Sequence, residues 1–310
     1  MHNRLPEKDY NLISFLLKAK ETDLFKFCQA FLNKYYGKHN IYNAGQDFIY
    51  ATGDLPVLLT AHLDTVLSAP PTSLLISADH RRIMSNQGLG ADDRAGVYAI
   101  LKIIKSGRRP SVLFTTGEEW GGIGALSFVS SYPSPLVPTK YIIEIDRRGR
   151  GQAVYYNCQN PQFEKYISSF GFTTQKGIFS DISIICPEWN IAGVNLSAGY
   201  YNEHTAYELL KMEDLNYTIE QVKALLDDSM AAQSYDFDPL AKLSNVYIAC
   251  QMCHSQVPIY NAYKIEDTII CGDCVEKYVG WCEQCDRPFI YGEETQNLCK
   301  ECSADAILKH

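Results

Sequence analysis

The sequence predicts an α/β protein, a mainly parallel central sheet with helices on both faces, followed by a small C-terminal domain stabilised by zinc. Two patterns predict it. Short apolar runs alternate with helical periodicities through the first 228 residues, and eight of the eleven cysteines fall into four C-x-x-C pairs at the end of the chain. Strands alternating with helices build a parallel sheet covered on both sides. A short unit dense in paired cysteines folds around metal.

The elements follow in order. Between Asn11 and Tyr36 the apolar Leu12, Leu16, Phe25 and Phe31 sit at helical spacing and Gly37 follows as a stop, which predicts one or two opening helices. Next come PVLLTAH, RAGVYAILKII, SVLFTTG, GALSFVSS, KYIIEID, NIAGVNL and MEDLNYTIEQVKALL, read as alternating strands and helices. In the first long helical pattern Val97, Ile100, Leu101 and Ile104 form one apolar stripe; Leu215, Ile219, Val222 and Leu226 form another in the last. After Asp228 the periodicity stops and Ser, Asp and Pro accumulate. The expected organisation is a domain over 1–228, a linker over 229–245 and a cysteine module over 246–310.

At 310 residues and 46% hydrophobic content, the chain can bury one full core and carry a smaller unit. The opening apolar run is too short to span a bilayer and lacks a small-residue cleavage site, so neither a membrane span nor a signal peptide is expected. Cysteine pairs at metal spacing fit a reducing compartment, and a cytoplasmic location follows. A net charge of −8 argues against a nucleic-acid partner, because phosphate affinity comes mainly from Lys and Arg.

Metal-ligand residues recur at element ends, where open α/β sheets place their sites. AHLDTV delivers His62 with Asp64 two residues on, and GLGADDRAG leads through glycines into Asp92 and Asp93. TTGEEWGG carries Glu118 and Glu119, IIEIDRRG ends at Asp146, and GYYNEHTAYE holds His204 before the final helix. Four of these ligand positions are expected to follow strands directly. Singly, each has a bland explanation: a core histidine, helix-capping acids or solvated loop glutamates.

Together and in this order, H-x-D, G-A-D-D, G-E-E, I-D and H-T-x-x-E resemble the zinc-dependent exopeptidase superfamily, which includes leucyl aminopeptidases, peptidase T and glutamate carboxypeptidases. The resemblance covers roughly residues 45–228 and implies the phosphorylase/hydrolase-like zinc peptidase fold. It implies that His62 and Asp146 hold one zinc, Glu119 and His204 the other, and that Asp92 bridges both. It makes Glu118 the general base, and it implies a cis peptide bond between Asp92 and Asp93.

The chemistry suits these residue types. Zinc takes neutral imidazole and carboxylate oxygens, and two bridged ions can share a hydroxide and clamp a tetrahedral intermediate. Glu118 must not ligate, since its task is to move a proton. Asp64 is expected behind His62, accepting the N–H of its distal ring nitrogen. Other divalent ions are compatible with the same donors. Only 57 residues separate Asp146 from His204 and 29 separate His62 from Asp92, too few for an inserted lid domain. A compact aminopeptidase is therefore expected, acting on peptides or small amides, with an N-acyl amino acid deacylase or a carboxypeptidase as alternatives on the same site. Trp120, Tyr200 and Tyr201 flank ligands, and Arg147 and Arg148 are candidates for a substrate-carboxylate clamp.

In the cysteine module, Cys250, Cys253, Cys271 and Cys274 are expected on one structural zinc and Cys282, Cys285, Cys299 and Cys302 on a second, with cross-braced pairing as the alternative. The spacing is similar to LIM and zinc-ribbon modules, apart from a seven-residue gap longer than the LIM spacer. Closed S₄ sites stabilise a core-poor unit and do no chemistry. Residues 246–310 hold five Lys and Arg against ten Asp and Glu, so a protein partner is expected here and not nucleic acid, with Trp281, Phe289 and Tyr291 as apolar contacts or as packing. Cys28, Cys158 and Cys186 are expected as small core residues. A competing function is a catalytically silent peptidase scaffold working through its zinc module; none of the ligand or base positions is missing to favour it.

Overall fold

A computed structural model describes residues 6–158, 160–238, 247–258, 262–265, 268–282, 284, 288–290 and 302. The chain divides into two compact units, Met1–Pro239 and Leu240–His310.

In the first unit the strands are β1 (Ile41–Ala44), β2 (Phe48–Ala51), β3 (Leu55–His62), β4 (Leu75–Ile76), β5 (Arg82–Met84), β6 (Pro110–Thr115), β7 (Tyr141–Arg147), β8 (Gln152–Val154), β9 (Thr173–Thr174), β10 (Gly193–Ser197), β11 (Tyr200–Tyr201) and β12 (Leu209–Lys211). The helices are α1 (Glu7–Lys18), α2 (Glu21–Tyr36), α3 (Ala91–Lys105), α4 (Ile123–Ser131), α5 (Pro161–Ser168), α6 (Ile182–Trp189) and α7 (Met212–Asp228). Eight strands form one sheet in the order β1-β2-β6-β3-β7-β10-β8-β9. Its centre, β6-β3-β7-β10, is parallel throughout, and β2 and β8 flank it antiparallel. The short β11, β12, β5 and β4 make a second sheet that the apolar pattern did not predict, because strands of two or three residues carry no readable alternation.

Alternate residues of the central strands enter opposite cores. Val57, Leu59 and Ala61 of β3 and Tyr141, Ile143 and Ile145 of β7 pack in the larger core with residues of α1, α2, α3 and α7; Leu58 and Ile142 face a smaller core with α4 and α6. The single stripe expected on α3 is an underestimate. All its residues except Lys102 and Lys105 are buried, because α1 and α7 cover the side turned away from the sheet. Gly96 lets this helix lie directly on β7, since a Cβ there would stand 2.0 Å from the carbonyl oxygen of Ile145. Cys28, Cys158 and Cys186 are buried.

The first unit runs past the expected boundary at 228. Tyr235, 6% exposed, donates its N–H to the Lys140 carbonyl and accepts from the Ala192 N–H, at 3.0 and 2.8 Å. Its ring stacks on Tyr166 and packs against Phe163. The Lys140 ammonium binds the carbonyls of Ser229, Met230 and Ala232. Residues 229–238, read as the start of a linker, are thus held by aromatic burial and backbone pairing; 239–245 lie outside the described residues.

The second unit contains three two-stranded ladders: β13 (Tyr247–Ala249) with β14 (Gln256–Pro258), β15 (Ala262–Ile265) with β16 (Thr268–Cys271), and β17 (Val279–Trp281) with β18 (Pro288–Ile290). A single helix, α8 (Gly272–Tyr278), is described in it. No described helix is long and apolar enough to cross a membrane.

Candidate metal centre

The sheet register builds the site. On the face towards α4 and α6, side chains become polar in the direction of the strand ends: Leu58, Thr60, His62 along β3; Leu113, Thr115 along β6; Ile142, Glu144, Asp146 along β7. Period-two alternation therefore brings His62 and Asp146 out on one face of neighbouring parallel strands. The turn after β6 supplies Glu118 and Glu119. The other two ligand positions lie where their segments predict, Asp92 at a helix start and His204 on a loop, so three strands of the parallel sheet lead into ligand positions and not the expected four. Asp92 opens α3, where Asp92 and Asp93 have φ/ψ of −78/103° and −115/37° and are joined by a cis peptide bond. His204 lies on the loop between β11 and β12 with φ 61° and a side chain 48% exposed.

These side chains converge. His62 Nε2 is 3.2 Å from Asp92 Oδ1 and 3.5 Å from Asp146 Oδ1. His204 Nε2 is 3.3 Å from Asp92 Oδ2 and 2.9 Å from Glu119 Oε1. Ligands held about 2.0–2.2 Å from a tetrahedral zinc lie roughly 3.3–3.6 Å from one another, so the donor set fits such ions. Donor atoms of His62, Asp92 and Glu119 also fall within 4.8 Å of one another. Glu118 Oε2 stands 3.9 Å from His62 Nε2, beside the cluster and outside its short contacts.

Charge balance points the same way. Burial pushes Glu118 up to about 9 and Asp146 up to about 7, and neighbouring carboxylates add to both. Burial works against a charged His62, yet Asp146 and Asp64 outweigh it and hold the ring well above the usual imidazole range. Bonds to Asp92 and Glu119 raise His204 to about 10. A group of acids this crowded calls for cations, and divalent ions supply them.

Around the ligands lie Asp64, expected from the sequence, and several residues that motif reasoning missed. Asp64 lies 3.2 Å from His62 Nδ1, out of line for a good hydrogen bond, and accepts the backbone N–H groups of Glu118 and Glu119. Tyr200 donates to Asp146, while Ser180 bridges Glu144, Asp146 and Asn195. Thr115 donates to the buried Asp181. An acid inside the apolar run IIEID, on the same face as Asp146, was the available signal for Glu144. Glu208, four residues after His204 in H-T-x-x-E, accepts the N–H groups of Leu89, Gly90, Ala91 and Asp92 at 2.7–3.2 Å.

The two arginines have protein partners. Arg147 binds Gln152 and the Lys176 carbonyl, and Arg148 pairs with Glu203 at 2.7 Å. Tyr201 donates to Asp214, and Trp120 is 73% exposed. A separate cleft of about 520 Å³ is lined by Leu17, Lys20, Thr65, Leu89, Gly90 and Arg94 among others.

In the second unit the Sγ atoms of Cys250, Cys253, Cys271 and Cys274 lie within 4.8 Å of one another. Cys250 and Cys274 are 3.7 Å apart, as are Cys253 and Cys271, matching the roughly 3.8 Å edge of a tetrahedron with about 2.3 Å Zn–S bonds. Among the described residues these four cysteines, consecutive in the sequence, lie together. Cys282 and Cys302 are buried with Phe289; Cys285, Cys299 and Tyr291 lie outside the described residues. Trp281 is 68% exposed.

Among known proteins, the fold is similar to that of a tripeptidase from Staphylococcus aureus, with TM-score 0.55 and 16% identity over 74% of this chain and 100% of that one. It is also similar to the aminopeptidase PepT of Bacillus cereus, with TM-score 0.51 and 15% identity over 72% and 97%. A TET aminopeptidase from a marine sediment archaeon of the Thaumarchaeota gives 0.57 and 12% over 71% and 97%. No curated protein matches the sequence. Residues 49–181, which hold His62, Asp64, Asp92, Glu118, Glu119 and Asp146, match Peptidase family M28, and this match supports a metal-dependent peptidase of the zinc exopeptidase superfamily.

Proposed function

We propose that the chain is a dizinc aminopeptidase. His62 and Asp146 hold one ion, Glu119 and His204 the other, and Asp92 bridges them. The observation that carries this reading is the division of the Asp92 carboxylate, one oxygen against each histidine. When bound, the ions would polarise the scissile carbonyl and acidify a water. Glu118, close to the ligands without joining them, takes the proton of the attacking water and delivers it to the leaving amine. Asp64 fixes the backbone of the turn that carries this base. Tyr200 and Ser180 hold the Asp146 carboxylate.

The cysteine unit would carry two structural zincs and serve a protein partner, and the chain would work in the cytoplasm. With Arg147 and Arg148 already paired, a free substrate-carboxylate clamp loses its candidates, which favours the amino end of the substrate as the point of attack. The test joins metal analysis to a screen of aminoacyl, dipeptide and N-acyl substrates. Chelator-sensitive release of an N-terminal residue, with zinc in excess of the cysteine sites, is expected. Zinc confined to the cysteine unit would overturn the reading, and turnover of N-acyl substrates alone would redirect it to a deacylase.

A further inference from the structure

We propose that Glu208 is a positioning residue that couples the two halves of the metal centre, by tying the loop of His204 to the turn of Asp92. The inference rests on the dizinc reading and adds to it a device for keeping the ligand loops in register.

Glu208 is 3% exposed, and its two carboxylate oxygens accept four consecutive backbone N–H groups, from Leu89 and Gly90 on Oε2 and from Ala91 and Asp92 on Oε1. A carboxylate taken from water is costly unless hydrogen bonds replace its hydration, and four converging amides do so. Those amides precede the helical part of α3, so the arrangement fixes a turn as well as a helix entry. The residue itself is anchored: Leu209, next in sequence, pairs with Met84 on β5.

The loop between β11 and β12 is held otherwise by short-range bonds among Asn202, Thr205, Tyr207 and Glu208 and by the exposed Arg148–Glu203 pair. Thr205, Ala206 and Tyr207 are exposed, and His204 is half exposed. Its imidazole nonetheless reaches Asp92 Oδ2 and Glu119 Oε1. Asp92 is thus gripped twice by one short stretch of chain. Its carboxylate meets His204 and its N–H meets Glu208, which closes a ring from His204 through Asp92 and Glu208 back to His204. Only three residues separate His204 from Glu208, so the cradle limits how far the His204 backbone can move from Asp92.

The test uses the full chain and Co²⁺ as the probe, titrated against a competing chelator at a temperature where each variant is folded. Thiolate charge-transfer absorption and the intense d–d bands that grow with it report the cysteine unit; the weaker d–d absorption that grows without charge transfer reports the carboxylate-histidine site. Glu208→Gln offers a carbonyl and an NH₂ group to donors that all need acceptors. Cobalt affinity at the carboxylate-histidine site is expected to fall about 10–100-fold, with the thiolate bands unchanged. A purely structural role would lower the melting temperature of the metal-free chain and leave this titration alone. If Glu208→Gln does not fold, two glycines inserted between Tyr207 and Glu208 keep the cradle and release His204, with the same loss expected. A wild-type cobalt titration in either folded variant overturns the coupling role alone. A wild-type chain whose cobalt spectrum shows the cysteine unit only overturns the dizinc reading and the coupling together.

Discussion

The carboxylate of Asp64 accepts the backbone N–H of Glu118 at 3.2 Å through Oδ1, and the same oxygen lies 3.2 Å from His62 Nδ1. One buried acid thereby stands behind a ligand and beneath the proposed base. Asp64→Asn keeps the shape but replaces one acceptor oxygen with a donor, facing the N–H of Glu118 or of Glu119. A fall of about 10–100-fold in zinc affinity or in kcat/KM is expected. Activity and metal titrations equal to wild type would remove Asp64 from the machinery.

Glu118→Gln separates the base from the ligands. Both ions should remain, since Glu118 makes none of the short donor contacts, while hydrolysis falls by about 10²–10⁴-fold, the usual contribution of a positioned acid–base group. Metal content and single-turnover rates on the same preparation decide it; wild-type turnover would end the assignment.

Zinc uptake should release protons. The pKa of His204 is raised to about 10, so its ring is protonated at pH 7 among the side chains alone, and that of His62 is raised in the same direction. Zinc takes the neutral ring, so a protonated imidazole must shed its proton and apparent affinity rises with pH. Calorimetry in buffers of different ionisation enthalpy measures the release, with a His204→Ala chain as the reference that subtracts the cysteine unit. Equal proton release in the two chains would contradict the expectation.

Tyr235 tests where the larger unit ends. Replacing it with Ala removes a buried ring packed against Phe163 and Tyr166 and should cost about 3 kcal/mol of stability. A chain ending at Asp228 should lose at least as much. Denaturant midpoints of the three chains measure the difference; an unchanged midpoint on truncation would return residues 229–238 to the status of a linker.

Chelation should act unequally on the two units. The described core of the second unit is built largely around Cys250, Cys271 and Cys274, so metal removal should unfold it, while the larger unit keeps its own apolar core. Hydrogen exchange with and without chelator reads each segment separately. Protection of the β15 and β16 amides that survives chelation would count against a zinc-built module.

The parallel centre of the sheet was legible in the sequence because alternating strand and helix patterns survive in linear form, whereas the grouping of His62, Asp92, Glu119, Asp146 and His204 came from the resemblance of their ordered motifs to the zinc exopeptidases. The polar partners were not legible. Asn195 meets Asp146 only after β10 pairs with β7, and Ser180 only once the segment before α6 folds against them; neither leaves a trace in its segment alone. Tyr235 was read as linker because one aromatic among Ser and Asp carries no period, although its burial joins the segment to the core. Arg147 and Arg148 looked available because Gln152 and Glu203 gave no hint of where they would fold.

The missing side chain of Gly96 has one more effect. With the helix resting on the Ile145 carbonyl, the interval between Asp92 and Asp146 is a main-chain dimension, set by peptide against peptide with no compressible side chain in between. Enlarging or trimming the apolar residues around α3 should therefore change how long the protein survives heating before it changes how far apart its metal ligands stand. A single methyl group at position 96 would do the reverse, acting on that interval first.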